Sequence, residues 1–132
     1  MGYNTRYSLS WENGNQFVKQ CRHEVPDNAL YCPTCGKAVR EFTLSSVIGD
    51  YIEDHEEIYG IDRYGTSIGD YTWYSHEDNI KAISLEFPDV LFTLHGEGEE
   101  FGDIWNKYFL NGKMQMAKAE IIIPEFDKDK LK

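Results

Sequence analysis

The stretch Ile104-Trp105-Asn106-Lys107-Tyr108-Phe109-Leu110-Asn111-Gly112-Lys113-Met114-Gln115-Met116 decides how the rest of the chain is read. Asn-Gly takes up the positive backbone angles that a two-residue hairpin turn demands. Two antiparallel arms, Ile104 to Leu110 and Lys113 to Ile123, therefore meet with Leu110 opposite Lys113. The pleat sets Trp105, Lys107, Phe109, Met114, Met116 and Lys118 on one face. Ile104, Asn106, Tyr108, Leu110, Gln115, Ala117 and Ala119 take the other. The face with Trp105 and Phe109 is expected to meet helices.

Upstream of the hairpin, Val90 to His95 reads as a strand, closed by the loop Gly96-Glu97-Gly98-Glu99-Glu100, whose two glycines a strand tolerates poorly. Before it, Ser75 caps a helix with Glu77 and Asp78 in the first turn and Ile80, Ile83, Ser84 and Phe87 at helical spacing, ended by Pro88. A Gly- and Asp-rich segment, Tyr59 to Tyr71, leads into a short strand at Tyr71-Thr72-Trp73-Tyr74. An earlier helix runs from a cap at Thr43 or Ser45 to about Glu57. Its inner side carries Val47, Ile48, Tyr51, Ile52 and His55, and its outer side Asp50, Glu53, Asp54 and Glu57. Tyr3 to Trp11 alternates as a half-buried strand does, and Asn13-Gly14-Asn15 breaks it. The expected fold class is α+β: a mainly antiparallel sheet with two helices on one face, resembling a ferredoxin-like fold with an extra strand. All 132 residues belong to one domain, with residues 16–40 inserted between the first strand and the first helix. The last residues, from Glu125 to Lys132, read as a frayed end.

That insertion holds all three cysteines, Cys21, Cys32 and Cys35. An odd number of cysteines within fifteen residues, with no signal peptide before them, points to metal binding in a reducing compartment rather than to a disulfide framework. Cys32-Pro33-Thr34-Cys35-Gly36-Lys37 is a knuckle whose glycine lets the backbone turn tightly around a thiolate. The segment from Gln16 to Lys37 resembles the bacterial zinc ribbon, in which two Cys-x-x-Cys-Gly knuckles flank a short Val-Pro-containing link, here Val25-Pro26. It departs from that family in its first half, where Val18 and Arg22 stand at the positions of a cysteine and a glycine. The resemblance implies zinc as cofactor with Cys21, Cys32 and Cys35 as ligands. His23 is the nearest imidazole that completes a Cys3His set, while His55, His76, His95 and water are the alternatives for the fourth position.

The formal net charge is −10 and it is unevenly spread: residues 1–43 carry five Lys/Arg and four Asp/Glu, and residues 44–132 carry eight and nineteen. Such a field argues against non-specific nucleic-acid binding and favours a protein partner with a basic surface. Asp50, Asp54 and Glu57 on the first helix, with Glu97, Glu99 and Glu100 in the acidic loop, are the candidate partner-binding residues. No apolar run is long enough to cross a membrane, and a cytoplasmic location is expected.

The segments Pro88 to Leu94, Gly96 to Glu100 and Trp105 to Gly112 look like parts of small uncharacterised proteins encoded by bacteriophages and mobile elements. That resemblance implies an accessory role in the host cytoplasm, such as inhibition of a host or defence protein in the manner of an anti-CRISPR. A non-enzymatic function follows from the absence of a catalytic constellation. Two alternatives come from other residues. Arg6, Arg63, Trp73 and Tyr108 on an open sheet face would bind a nucleotide or short nucleic acid, and a three-ligand zinc would support an enzyme. An apolar sheet face is equally a candidate homodimer interface.

Overall fold

In the computed structural model, residues 2–19, 21, 23–39 and 42–132 are described. Among these described residues, seven strands and two helices follow one another as β1 (Thr5–Trp11), β2 (Phe17–Val18), β3 (Phe42–Thr43), α1 (Leu44–Asp54), β4 (Asp70–Tyr71), α2 (His76–Glu86), β5 (Phe92–Gly98), β6 (Ile104–Leu110) and β7 (Lys113–Lys118). A 3-10 turn, Lys128–Lys130, follows near the C-terminus.

The hairpin forms in the expected register. Leu110 pairs with Lys113, and Asn111 and Gly112 take φ of 49° and 77°, the left-handed values a tight two-residue turn requires. Around it stands one open, wholly antiparallel sheet in the order β4-β1-β5-β6-β7. Both helices pack on the same face. Ile48 and Ile52 of α1 and Ile80 and Ile83 of α2 join Tyr7, Leu9, Phe92, Leu94, Trp105 and Phe109 in one apolar core. Thr43 caps α1 through its hydroxyl, which accepts from the Ser46 N–H at 3.2 Å.

Several boundaries differ from the sequence expectation: the second hairpin arm ends at Lys118 rather than Ile123, the first strand starts at Thr5 rather than Tyr3, and three further differences have reasons of packing. The strand expected at Tyr71 to Tyr74 is only Asp70–Tyr71, because Trp73 leaves the sheet edge for the core. There its indole N–H donates to Asn79 at 2.8 Å. Helix α1 stops at Asp54, three residues before Glu57, where the His55 N–H closes a tighter turn onto the Ile52 carbonyl.

Strand β5 runs on through Gly96 and Gly98, the segment expected to be a loop. A Cβ at Gly96 would lie 2.2 Å from the Trp105 ring, and one at Gly98 would lie 2.0 Å from an Asp103 carboxylate oxygen. The glycines are there because neighbours from β6 and its approach lie over the backbone.

The inserted segment leaves and rejoins the body through a second, two-stranded sheet in which Phe17 pairs with Thr43 and Val18 with Phe42. Two backbone bonds fix this stalk to the start of α1: Leu44 N–H to the Gln16 carbonyl (2.8 Å) and Ser45 N–H to the Gly14 carbonyl (2.9 Å).

Candidate metal centre

Between the two strands of the stalk, the chain folds back on itself at the second knuckle. Tyr31 bridges to Ala38, the Cys32 N–H donates to the Lys37 carbonyl at 2.8 Å, and the Gly36 N–H donates to the Cys32 carbonyl at 2.7 Å. Gly36 has φ of +76°, which a side-chain-bearing residue adopts only with strain, so the glycine is what makes the turn this tight.

The fold-back buries Cys32 to 2% exposure and brings Cys21, His23 and Cys35 around it. One ligand atom from each of the four residues lies within 4.8 Å of all the others, close enough to hold a metal ion. The His23 Nδ1 is 3.5 Å from the Cys32 sulfur. None of the three cysteines is in a disulfide.

The electrostatics of the cluster set its cysteines apart. Burial pushes the Cys32 thiol up, but backbone N–H groups of Cys35 and Thr34 aim at its sulfur, and the Cys21 and Cys35 thiols add to them. The balance carries the Cys32 thiol down to about 6. Cys21 moves the other way, raised by burial and by its two thiol neighbours against an opposing Cys21 contact with the His23 backbone N–H. Cys32 is thereby favoured in its thiolate form, the form in which a cysteine would hold a cation.

His23 is accordingly the imidazole that joins the cysteines. The other three histidines are committed elsewhere in the body. His55 Nδ1 pairs with the Tyr51 carbonyl (2.7 Å), His76 Nδ1 with the Trp73 carbonyl (2.7 Å), and His95 Nδ1 with Asn106 (2.7 Å).

The acidic candidates fall into two groups. Asp50 and Asp54 line a cleft of about 430 Å³ beside the Cys/His cluster, together with Lys19, Cys21 and Lys37. Glu97 and Glu99 line a smaller one of about 180 Å³ with Arg6 and Asp70. Glu57 and Glu100 are exposed. The residues proposed for a nucleotide are not assembled on one surface. Arg6 pairs with Asp70 at 3.2 Å, and Arg63 bridges Asp50 and Glu53 at 3.0 Å each. Trp73 is buried in the core, whereas Tyr108 stays half-buried on the sheet face away from the helices.

One polar group escaped the reading of the sequence. Lys107, at the centre of the inner face of β6, is only 6% exposed. Its ammonium donates to the His76 Nε2 at 2.6 Å, pairs with Glu77 at 2.7 Å and sits 4.3 Å from the centre of the Trp105 ring. His76 therefore keeps its proton on Nδ1, donated to the Trp73 carbonyl, and accepts at Nε2. The signal was a lysine placed between Trp105 and Phe109 at strand spacing. Through His76 and Glu77 it ties α2 to the sheet.

No helix among the described residues is long and apolar enough to cross a membrane. No family model matches the chain, and neither the curated proteins nor the solved structures contain a significant match, so the candidate site rests on its own geometry.

Proposed function

We propose that the chain is a non-enzymatic binding protein, clamped by a structural zinc ion, whose acidic surface engages a protein partner with a basic surface. The observation that carries this reading is the donor set. Three thiols and an imidazole are the ligands zinc takes in closed structural sites. A tetrahedral zinc with sulfur at about 2.3 Å and nitrogen at about 2.0 Å needs donors about 3.5 to 3.8 Å apart. The 3.5 Å between His23 and Cys32 already meets that spacing, and a small contraction brings in the rest. With four protein ligands, no coordination position is left for substrate or activated water, which speaks against a zinc enzyme.

The partner is inferred from charge. Exposed Glu57, Glu97, Glu99 and Glu100, with the carboxylates of α1, belong to a part of the chain that carries nineteen Asp/Glu against eight Lys/Arg. A basic surface, such as that of a nucleic-acid-binding host or defence protein, is attracted to such a field at an enhanced rate. This is also the role that the likeness to phage-encoded proteins suggests. Its location would be the cytoplasm, where cysteines stay reduced.

The test has two stages. Elemental analysis of the purified chain should find one zinc per chain. A partner captured from bacterial lysate and identified by mass spectrometry is then purified. Its affinity is compared for the natural chain and for one carrying Asp50→Lys, Asp54→Lys, Glu57→Lys, Glu97→Lys, Glu99→Lys and Glu100→Lys. A loss of tenfold or more, with the natural complex weakening as salt rises, is expected. Equal affinity of the two chains, or a partner with an acidic surface, refutes the reading.

A further inference from the structure

The outer edge of β7 and the segment after it point to a second copy of this chain. Strand β7 is the last strand of the sheet, and among the described residues nothing pairs with its outer side. The opposite edge is handled differently. There β4 is two residues long, and the Leu9 N–H of β1 is taken by the Gly65 carbonyl at 2.8 Å. Long unpaired edges are normally blunted in this way, by short strands or by covering loops.

Which groups of β7 face outward follows from its pairing with β6. The Ala119 N–H donates to the Ile104 carbonyl at 2.8 Å, so the odd-numbered residues of this arm bond inward. The N–H and C=O groups of Met114, Met116 and Lys118 therefore point away from β6.

Past β7, residues 119–127 lie in no helix or strand, and the chain stays beside the approach to β6 as far as Ile121. Ile121 lies against Gly102, its counterpart if the β6–β7 register is simply extended, and a Cβ on Gly102 would lie 2.9 Å from the Ile121 Cδ1. From Ile121 to Ile123 the side chains are 58%, 78% and 86% exposed, beside Met116 at 42%. Three consecutive exposed isoleucines after an open strand edge are unusual for a chain that stays alone.

The sequence around Ala119 is complementary to its own reverse. One residue to either side stand Lys118 and Glu120; three residues away, Met116 and Ile122; six residues away, Lys113 and Glu125. Opposite charges and apolar residues thus fall at mirrored positions.

We propose that two copies associate through residues 113–125 about a two-fold axis at Ala119, joining their sheets edge to edge into one continuous antiparallel sheet. Lys118 then faces the second copy's Glu120, Lys113 its Glu125 and Met116 its Ile122, and each pair occurs twice. The register has the right parity: the outward-pointing residues Met114, Met116 and Lys118 meet residues 124, 122 and 120 of the other copy. Pro124, which has no N–H to give, comes at the end of this ladder, where its loss costs least.

The test is native mass by light scattering and sedimentation equilibrium on the intact chain in the micromolar range, with Lys118→Glu, Glu120→Lys and the double exchange. The natural chain should have twice the 15.4 kDa of one copy. Each single reversal should raise the dimer dissociation constant by about tenfold, and the double exchange should restore it. Circular dichroism checks that the variants stay folded. Independently, amide exchange at Met114, Met116 and Lys118 in the natural chain should speed up on dilution. A monomeric natural chain, a dimer indifferent to both single reversals, or a double exchange that fails to restore association would each overturn the proposal. None of these readouts depends on zinc or on a basic partner.

Discussion

His23 offers the one nitrogen of a cluster otherwise made of sulfur, and it does so from an exposed position, whereas Cys32 is buried. The two residues should therefore not be equivalent. Cys32→Ser removes the low thiol and the centre of the knuckle, and it should abolish zinc retention through gel filtration. His23→Ala leaves three sulfurs and a place for water, and should weaken zinc by about 10- to 100-fold while cobalt substitution still gives thiolate charge-transfer bands. Loss of metal in both variants alike, with no cobalt bands in His23→Ala, would remove this hierarchy. His76 makes a second residue-level prediction. Burial lowers its basicity first, the neighbouring Lys107 charge lowers it further, and the Trp73 carbonyl and Glu77 oppose them. Glu77 is also held low, chiefly by its bond to Lys107. A histidine depressed in the folded state is protonated first in the unfolded chain, so its stabilisation is present above about pH 6.5 and is lost as pH falls toward the folded value. The Glu77 contribution is lost lower still, on the same acid side. Urea unfolding across pH should show the natural chain losing stability relative to His76→Gln as pH falls below about 6.5. A constant difference between the two would sink this assignment.

Among the elements, β5 carries the clearest lesson. Gly96 and Gly98 make the segment look like a loop because a strand of glycine and glutamate has no side chains of its own to pack. What compensates is remote in sequence: the Trp105 ring lies over Gly96, and Tyr3 donates to Asp103 at 2.7 Å beside Gly98. Propensity is a local quantity and could not reveal either. The hairpin, in contrast, is legible because its turn chemistry is contained in two adjacent residues, and helix α1 because its cap and apolar stripe are contained in one turn and one face. Gly96→Ala should push Trp105 out of its place and cost about 1–3 kcal/mol, read as a lower urea midpoint together with altered tryptophan fluorescence. An unchanged midpoint would mean that the ring is free to move aside. Gly112→Ala forces a side chain into a φ of 77° and towards Leu85, so it should cost about 1 kcal/mol or more without changing the register of the hairpin.

At the scale of the whole molecule there are two structural economies. The body is held by an apolar core shared by the sheet and both helices, to which no residue of the knuckle contributes. Among its described residues the knuckle has only Cys32 and Ala38 as buried side chains, so in the proposed reading its closure would rest on the cation. A chelator should therefore expose residues 21–39 to protease while far-ultraviolet circular dichroism and the tryptophan signal of the body persist. A single transition removing both would show that the two parts fold as one unit. The three thiols of the candidate metal centre were readable because Cys21, Cys32 and Cys35 fall within fifteen residues of one another, the last two in a local motif. The place of His23 was not fixed by sequence, because only folding decides which of four histidines comes within reach. The β2–β3 ladder, finally, sets the two ends of the inserted segment side by side, at the separation of paired strands, about 5 Å. A cassette with entrance and exit so close can be cut out and the gap closed by a two-residue turn, or another knuckle spliced in its place, without disturbing the sheet behind it. The chain is thereby divided into a chassis and an exchangeable head, each free to vary at its own rate.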